Sequence, residues 1–169
     1  MNRYEEKYKK IVNELIRKDF SELGGERINV VEIQDLTNWS ESFSTKGVDN
    51  YYIFMFKKVR DRKEKALKGQ IAHELCHLIL NYKDKNLVAS WWHLFKKILS
   101  FGFNTNFSRI IETNADKETI KRGYSKELIE LKKDWLKKFG KEKIKELGYS
   151  RGYLSPEQIK SYAKKIRRW

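Results

Sequence analysis

Two of the three histidines in this 169-residue chain stand four positions apart, with a glutamate directly after the first, in the run Ile71-Ala-His73-Glu74-Leu-Cys-His77-Leu-Ile-Leu80. This His-Glu-x-x-His spacing constrains the fold more than any other feature. At 3.6 residues per turn, positions i and i+4 share one face of a helix, so the imidazoles of His73 and His77 aim at a common point. Glu74 borders the open side of that point. The spacing predicts a helix over about residues 62–82 and calls for a further ligand from elsewhere in the chain.

Those residue types suit a hydrolytic zinc site. Zinc at such a site takes three protein ligands and keeps a fourth position for water, whose pKa falls from ~15.7 to about 7 when bound. A carboxylate beside that water can take its proton, and Glu74 is the candidate general base and acid. The best candidate for the third ligand lies 35 positions beyond His77, in Arg109-Ile-Ile-Glu112-Thr-Asn-Ala115-Asp116-Lys-Glu-Thr-Ile120. Ile110, Ile111, Ala115 and Ile120 fit an amphipathic helix on which Glu112 and Asp116 share a face. Glu112 is the candidate ligand. Asp116 is the candidate acceptor for the outer ring N–H of a ligand histidine, which fixes tautomer and orientation.

A His-Glu-x-x-His helix followed by a separate Glu-x-x-Ala-Asp helix resembles the gluzincin metallopeptidases. The small size and the organisation of the C-terminal part look most like the archaeal minigluzincin zymogens. The resemblance is specific at residues 71–80 and 112–116, and loose over residues 50–140. It implies an α+β, mostly helical zincin-like domain with a small sheet, and a zinc endopeptidase acting on peptide or unfolded protein. His73, His77 and Glu112 would be its ligands, Glu74 its base and Asp116 its support. It also implies a latent form with a C-terminal segment across the cleft, and a strand above the cleft that pairs with extended substrate. The candidate for that strand is Tyr51, Tyr52, Ile53, Phe54, Met55 and Phe56, an apolar run of strand length whose side chains read as core. The chain is longer than the family's minimal core. Tyr82, His93, Tyr124, Tyr149 and Tyr153 are all chemically suited to steady an oxyanion, and spacing selects none of them.

Composition narrows the class. Hydrophobic residues make up 40 % of the chain, enough for one folded domain with a C-terminal extension. The only cysteine, Cys76, excludes an internal disulfide, suits a reducing compartment and reads as a small buried hydrophobe. The N-terminus has no apolar signal region and no apolar run approaches a membrane span, so a cytoplasmic protein with no membrane partner is expected. Abundant Lys, Glu and Ile resembles hyperthermophile usage.

The rest of the chain reads as helix, short strands, then mostly helices. Tyr4, Tyr8, Ile11, Val12, Leu15 and Ile16 keep a helical period up to Gly24-Gly25, and a strand follows at Ile28–Ile33. Residues 36–49 read as a loop or hairpin connection. Val88, Trp91, Trp92, Phe95, Ile98 and Leu99 define a further amphipathic helix carrying His93. After Gly123, Ser125 can cap a helix with a Leu128, Trp135, Leu136 and Phe139 stripe, ended by Gly140. A shorter helix runs to Gly148, and Ser155-Pro156-Glu157-Gln158 is a helix start with a capping box.

Charge is uneven: residues 117–169 hold 17 Lys/Arg and 7 Asp/Glu, so +10 of the net +14 lies there. The division drawn is a metallopeptidase domain over residues 1–148 and a basic segment over 149–169 with a possible inhibitory use. The basic segment reads first as the solvated face of ordinary helices. Nucleic-acid binding through phosphates and stacking is the second use, and an oligomer is compatible with the sequence. Two alternative functions follow: a regulatory protease of a DNA-associated protein, and a non-catalytic module binding zinc or nucleic acid.

Overall fold

The computed structural model describes residues 2–35, 41–81, 106–147 and 152–169. Its class is α+β, with six α-helices and one three-stranded sheet among the described residues. The expected helix over residues 88–99, including His93, lies outside the described residues, as do Tyr82 and Tyr149.

Helix α1, Arg3–Asp19, opens on a capping box in which Asn2 accepts from the backbone of Glu5 and Glu5 returns the bond to Asn2. It buries Tyr8, Ile11, Val12 and Leu15. A 3-10 turn at Ser21–Leu23 leads to β1, Ile28–Ile33. Strand β2 is Ser42–Lys46 and β3 is Tyr51–Phe56. The sheet order is β1-β3-β2, with β1 parallel and β2 antiparallel to β3.

This topology corrects two expectations. Part of the stretch read as a connection is a strand, because Phe43 stacks on Phe54 at 4.6 Å between ring centroids while Ser42 and Ser44 turn to the opposite face. The expected substrate strand, Tyr51–Phe56, is the central strand. Its main chain pairs with β1 from Ile28↔Tyr51 to Ile33↔Phe56 and with β2 from Ser42↔Met55 to Lys46↔Tyr51. Strand addition needs an edge strand, and among the described residues the outer strand beside the site helix is β2. Tyr51, Ile53, Met55 and Phe56 are buried, while Tyr52 and Phe54 on the other face are half-buried and stack with each other.

Helix α2, Glu64–Asn81, carries the histidine motif and is almost wholly buried from Ala66 to Leu78. Helix α3, Asn106–Lys121, and helix α4, Ser125–Phe139, pack against it. The turn between them contains Gly123 at φ +91°, a left-handed conformation that favours glycine. The α4 N-cap is Tyr124, which makes no side-chain cap bond, and Ser125 is the first helical residue. Gly140 ends α4 at φ +80°, and α5, Lys141–Leu147, follows. Helix α6, Pro156–Lys165, starts on the expected capping box of Ser155 and Gln158.

Helix α6 belongs to the packed body. Its Ile159 and Ala163 are fully buried with Ala66, Ile120, Leu128 and Leu131 in a second core cluster. The larger cluster joins α1, the sheet and α2.

Close approach of α2 and α4 centres on Gly69. A side-chain carbon there would run into the Glu127 carbonyl and the Leu128 nitrogen, both main chain. Replacing Gly69 with Ala should therefore destabilise the fold by about 1–3 kcal/mol despite alanine's better helix propensity. Urea unfolding of the two proteins checks this.

Candidate metal centre

Helix α2 supplies His73 and His77 one turn apart, and α3 supplies Glu112 and Asp116 on its facing side. His73 Nε2 and His77 Nε2 are 3.0 Å apart, and each stands 3.1 Å from Glu112 Oε2. All three residues are buried, so water contributes little to stabilising them. Three lone-pair atoms this close repel one another unless a cation, either a proton or a metal ion, stands among them. This cluster can hold a metal ion.

The outer ring nitrogens are held from behind. His73 Nδ1 lies 2.9 Å from Asp116 Oδ1, an ion-pair contact rather than an aligned hydrogen bond. Asn81 Nδ2 stands 3.1 Å from His77 Nδ1. Metal binding through Nε2 requires the proton on Nδ1, and therefore an Asn81 amide turned over so that its oxygen accepts that proton. Both histidines then have the support that ligand histidines usually have.

Asp116 is fully buried. Burial alone would raise its pKa, but Lys132, His73 and the Leu154 N–H outweigh burial and hold the carboxyl below the usual range. The Leu154 N–H donates to Oδ2 at 2.8 Å, and Lys132 Nζ donates to Oδ1 at 3.3 Å. Lys132 is itself 1 % exposed, and burial pulls its ammonium below its ordinary value in spite of Asp116. Its Nζ lies 4.3 Å from the ring centroids of both Trp135 and Tyr153.

Tyr153 covers the site from the C-terminal segment. Its ring centroid is 5.8 Å from that of His73 and 5.1 Å from that of Trp135. Burial, followed by the charges of Glu112, Glu74 and Asp116, pushes its hydroxyl well above the ordinary value, and the hydroxyl hydrogen-bonds Glu112. Gly152 sits at φ +97° so tightly on α3 that a side-chain carbon would meet the Arg109 main chain. Its carbonyl accepts from Thr113 Oγ1 at 2.7 Å.

Glu74 lies beside the cluster with 5 % exposure. Ser42 Oγ donates to its Oε1 at 2.6 Å, and Ser44 Oγ donates to its main-chain carbonyl at 3.1 Å.

Of the sequence-derived residues, His73, His77, Glu112 and Asp116 thus meet in one place; Glu74 follows His73 on α2 and acts with Glu112 and Asp116 on the Tyr153 hydroxyl, and Tyr51–Phe56 lie in the middle of the sheet. Tyr124 bonds Asp19 instead of facing the cluster. Cys76 is buried against Thr119, and burial pushes its thiol up to about 12, as suits an inert core residue. Ser42, Asn81 and Lys132 were not singled out from the sequence. Asn81 had a readable signal, standing four residues after His77 on the same face. Lys132 had a weaker one, a lysine four residues after Leu128 on an otherwise apolar stripe. No family model, characterised protein or solved structure matches the chain.

The proton and a metal ion compete for this cluster. Burial lowers the His73 pKa, but Asp116 and Glu112 outweigh it and raise the value from 6.5 to about 9. With a raised folded value, the stability His73 contributes to the metal-free chain is complete below 6.5 and is lost as pH rises through about 9. A ligand imidazole must be neutral, so adding Zn²⁺ to metal-free protein at about pH 7.5 should release close to one proton from this residue. Calorimetry in buffers of different ionisation enthalpy measures the release, which should fade above about pH 9.5.

Proposed function

We propose that this chain is a zinc-dependent endopeptidase of zincin-like fold, held latent by residues around Tyr153. The observation that carries the reading is the convergence of His73 Nε2, His77 Nε2 and Glu112 Oε2 at 3.0–3.1 Å. Donors about 2.0–2.2 Å from a tetrahedral zinc ion stand roughly 3.3–3.6 Å apart, a few tenths of an ångström beyond the 3.0–3.1 Å separations seen here. Two imidazoles and one carboxylate are also the ligand set of hydrolytic zinc sites, which keep one position open. The resemblance to gluzincins at residues 71–80 and 112–116 agrees with this donor set.

A zinc ion bound there supplies a water that ionises near neutral pH and a Lewis acid for the scissile carbonyl. The remaining roles fall to side chains of this chain. Glu74 takes a proton and returns it to the leaving amine. Asp116 and Asn81 hold the outer nitrogens of His73 and His77, which keeps both rings turned inward. Strand β2, the outer strand beside α2 among the described residues, is where an extended peptide would pair through its main chain irrespective of side chains. An unfolded polypeptide is the substrate class that such pairing selects.

Latency is supported by what Tyr153 occupies. Its hydroxyl bonds the ligand carboxylate Glu112, its ring lies against His73, and Gly152 and Leu154 on either side are tied to Thr113 and Asp116. A segment tethered in this way acts at high effective concentration without needing tight intrinsic affinity. Helix α6 beyond it is part of the core, so removing everything from residue 149 onward would also strip out Ile159 and Ala163. Point substitutions in the full-length chain are the better test.

Tyr153→Ala removes the ring and the hydroxyl. Gly152→Val strains the left-handed turn and drives the segment off Arg109. Each should raise zinc-dependent cleavage of an unfolded protein by about tenfold or more over the parent chain. Adding Glu74→Ala should abolish cleavage with zinc still bound, as should a chelator by removing the ion. A released, folded, zinc-loaded chain that cleaves nothing would make the centre a non-catalytic metal site.

A further inference from the structure

The two oxygens of the Glu74 carboxylate have unequal surroundings. Oε1 accepts the Ser42 hydroxyl at 2.6 Å, whereas Oε2 is buried and has no hydrogen-bond partner among the described residues. Behind Ser42 stands a chain of donors whose direction admits one arrangement. Arg62 carries donors only, and its Nη1 donates to Gln70 Oε1. The other end of the Gln70 amide is therefore the donor, and Nε2 donates to Ser42 Oγ at 2.8 Å. A hydroxyl has one proton, and with a donor already on its oxygen the Ser42 proton goes to Glu74.

The far end of the chain is equally held. Arg62 has a side chain 2 % exposed and is clamped by Glu41 at 2.6 Å and Asp134 at 2.8 Å. Gln70 is also buried. No member is free to turn over, so the polarity from Arg62 through Gln70 and Ser42 to Glu74 is set by the guanidinium. Ser44, two residues along β2 on the same face, binds the Glu74 carbonyl and fixes the strand to this residue at a second point.

We propose that Ser42 is a positioning residue for Glu74: it holds Oε1, oriented by Arg62 and Gln70, and so determines that Oε2 is the oxygen available to take a proton. The role rests on reading Glu74 as the general base. It also joins base and substrate, because Ser42 lies on β2, the outer strand beside α2 among the described residues and the one proposed to pair with a peptide. A peptide paired along β2 is then registered against the element that aims the carboxylate.

The test uses the full-length, zinc-loaded chain carrying Tyr153→Ala, with a fluorogenic peptide as substrate. Adding Ser42→Ala should lower kcat by about tenfold to a hundredfold, the effect of losing one hydrogen bond to a charged group, with KM changed less than about twofold. Ser42→Thr keeps the hydroxyl and should recover most of the loss, and zinc content should be equal in all three. Crystal structures of the same proteins supply a readout apart from turnover. In Ser42→Ala the Glu74 carboxylate should rotate away from its parent orientation, and in Ser42→Thr it should not. A carboxylate unmoved in Ser42→Ala overturns the role, as does a kcat within about twofold of the parent. If the Tyr153→Ala parent cleaves nothing, the endopeptidase reading fails by itself, and the carboxylate's orientation still decides what Ser42 does.

Discussion

Asp116 is the group on which the rest of this molecule turns. A carboxylate without access to water costs several kcal/mol unless paired and hydrogen-bonded, and this one is fully buried at the meeting point of three elements. It binds His73 from α2, Lys132 from α4 and the Leu154 amide from the C-terminal segment. The three contacts do different things: one orients the His73 ring, one neutralises charge, and one secures the segment carrying Tyr153. Loss of any of them leaves the carboxylate short of a donor in a place where no solvent replaces it, so the His73–His77–Glu112 cluster, the α2–α4 packing and the covering segment are energetically joined.

The same logic explains the density of polar groups in the interior. Helix α2 is buried nearly along its length, and it carries Gln70, His73, Glu74, His77 and Asn81 inward among apolar residues. Gln70 meets Arg62 and Ser42, Glu74 meets Ser42, His73 meets Asp116 and His77 meets Glu112, while Asn81 meets His77 one turn back on the same helix. Replacing one such partner is more damaging than replacing a pair, because the group left behind keeps its desolvation cost. Such networks are specific, since few alternative packings would satisfy every member at once.

Much of the site was legible in the sequence, for a physical reason. Helical geometry converts spacing directly into position, so the i, i+4 pairs His73/His77 and Glu112/Asp116 announced their faces, and the capping box at Ser155 announced α6. Sheets do not encode neighbours in the same way. Tyr51–Phe56 was readable as a strand, but the sequence left open whether it lay at an edge or in the centre, because strand order depends on long-range pairing. Ser42–Lys46 was hidden by its serines, which resemble loop composition yet face α2 because they bind Glu74. Lys132 was hidden for the opposite reason, since a lysine on a helix stripe looks solvated until Asp116 is seen beneath it.

The packing of α6 bears on how a covered cleft of this kind would open. Ile159 and Ala163 are fully buried, and burying an isoleucine side chain is worth about 1.5–3 kcal/mol, so releasing the whole C-terminal part would sacrifice core as well as cover. The contacts that hold residues 152–154 are of another kind: a hydroxyl bond to the Gly152 carbonyl, an amide bond to Asp116, and the phenol of Tyr153 against His73, Trp135 and Glu112. A polar group brought by an extended peptide can replace each of these bonds, whereas nothing brought by a peptide replaces the α6 core. In the latency proposed here, opening is therefore a local exchange of one short segment for another over α3, with α6 staying docked. The left-handed Gly152, unable to accept a side chain against Arg109, is the position where that exchange is most sensitive to sequence.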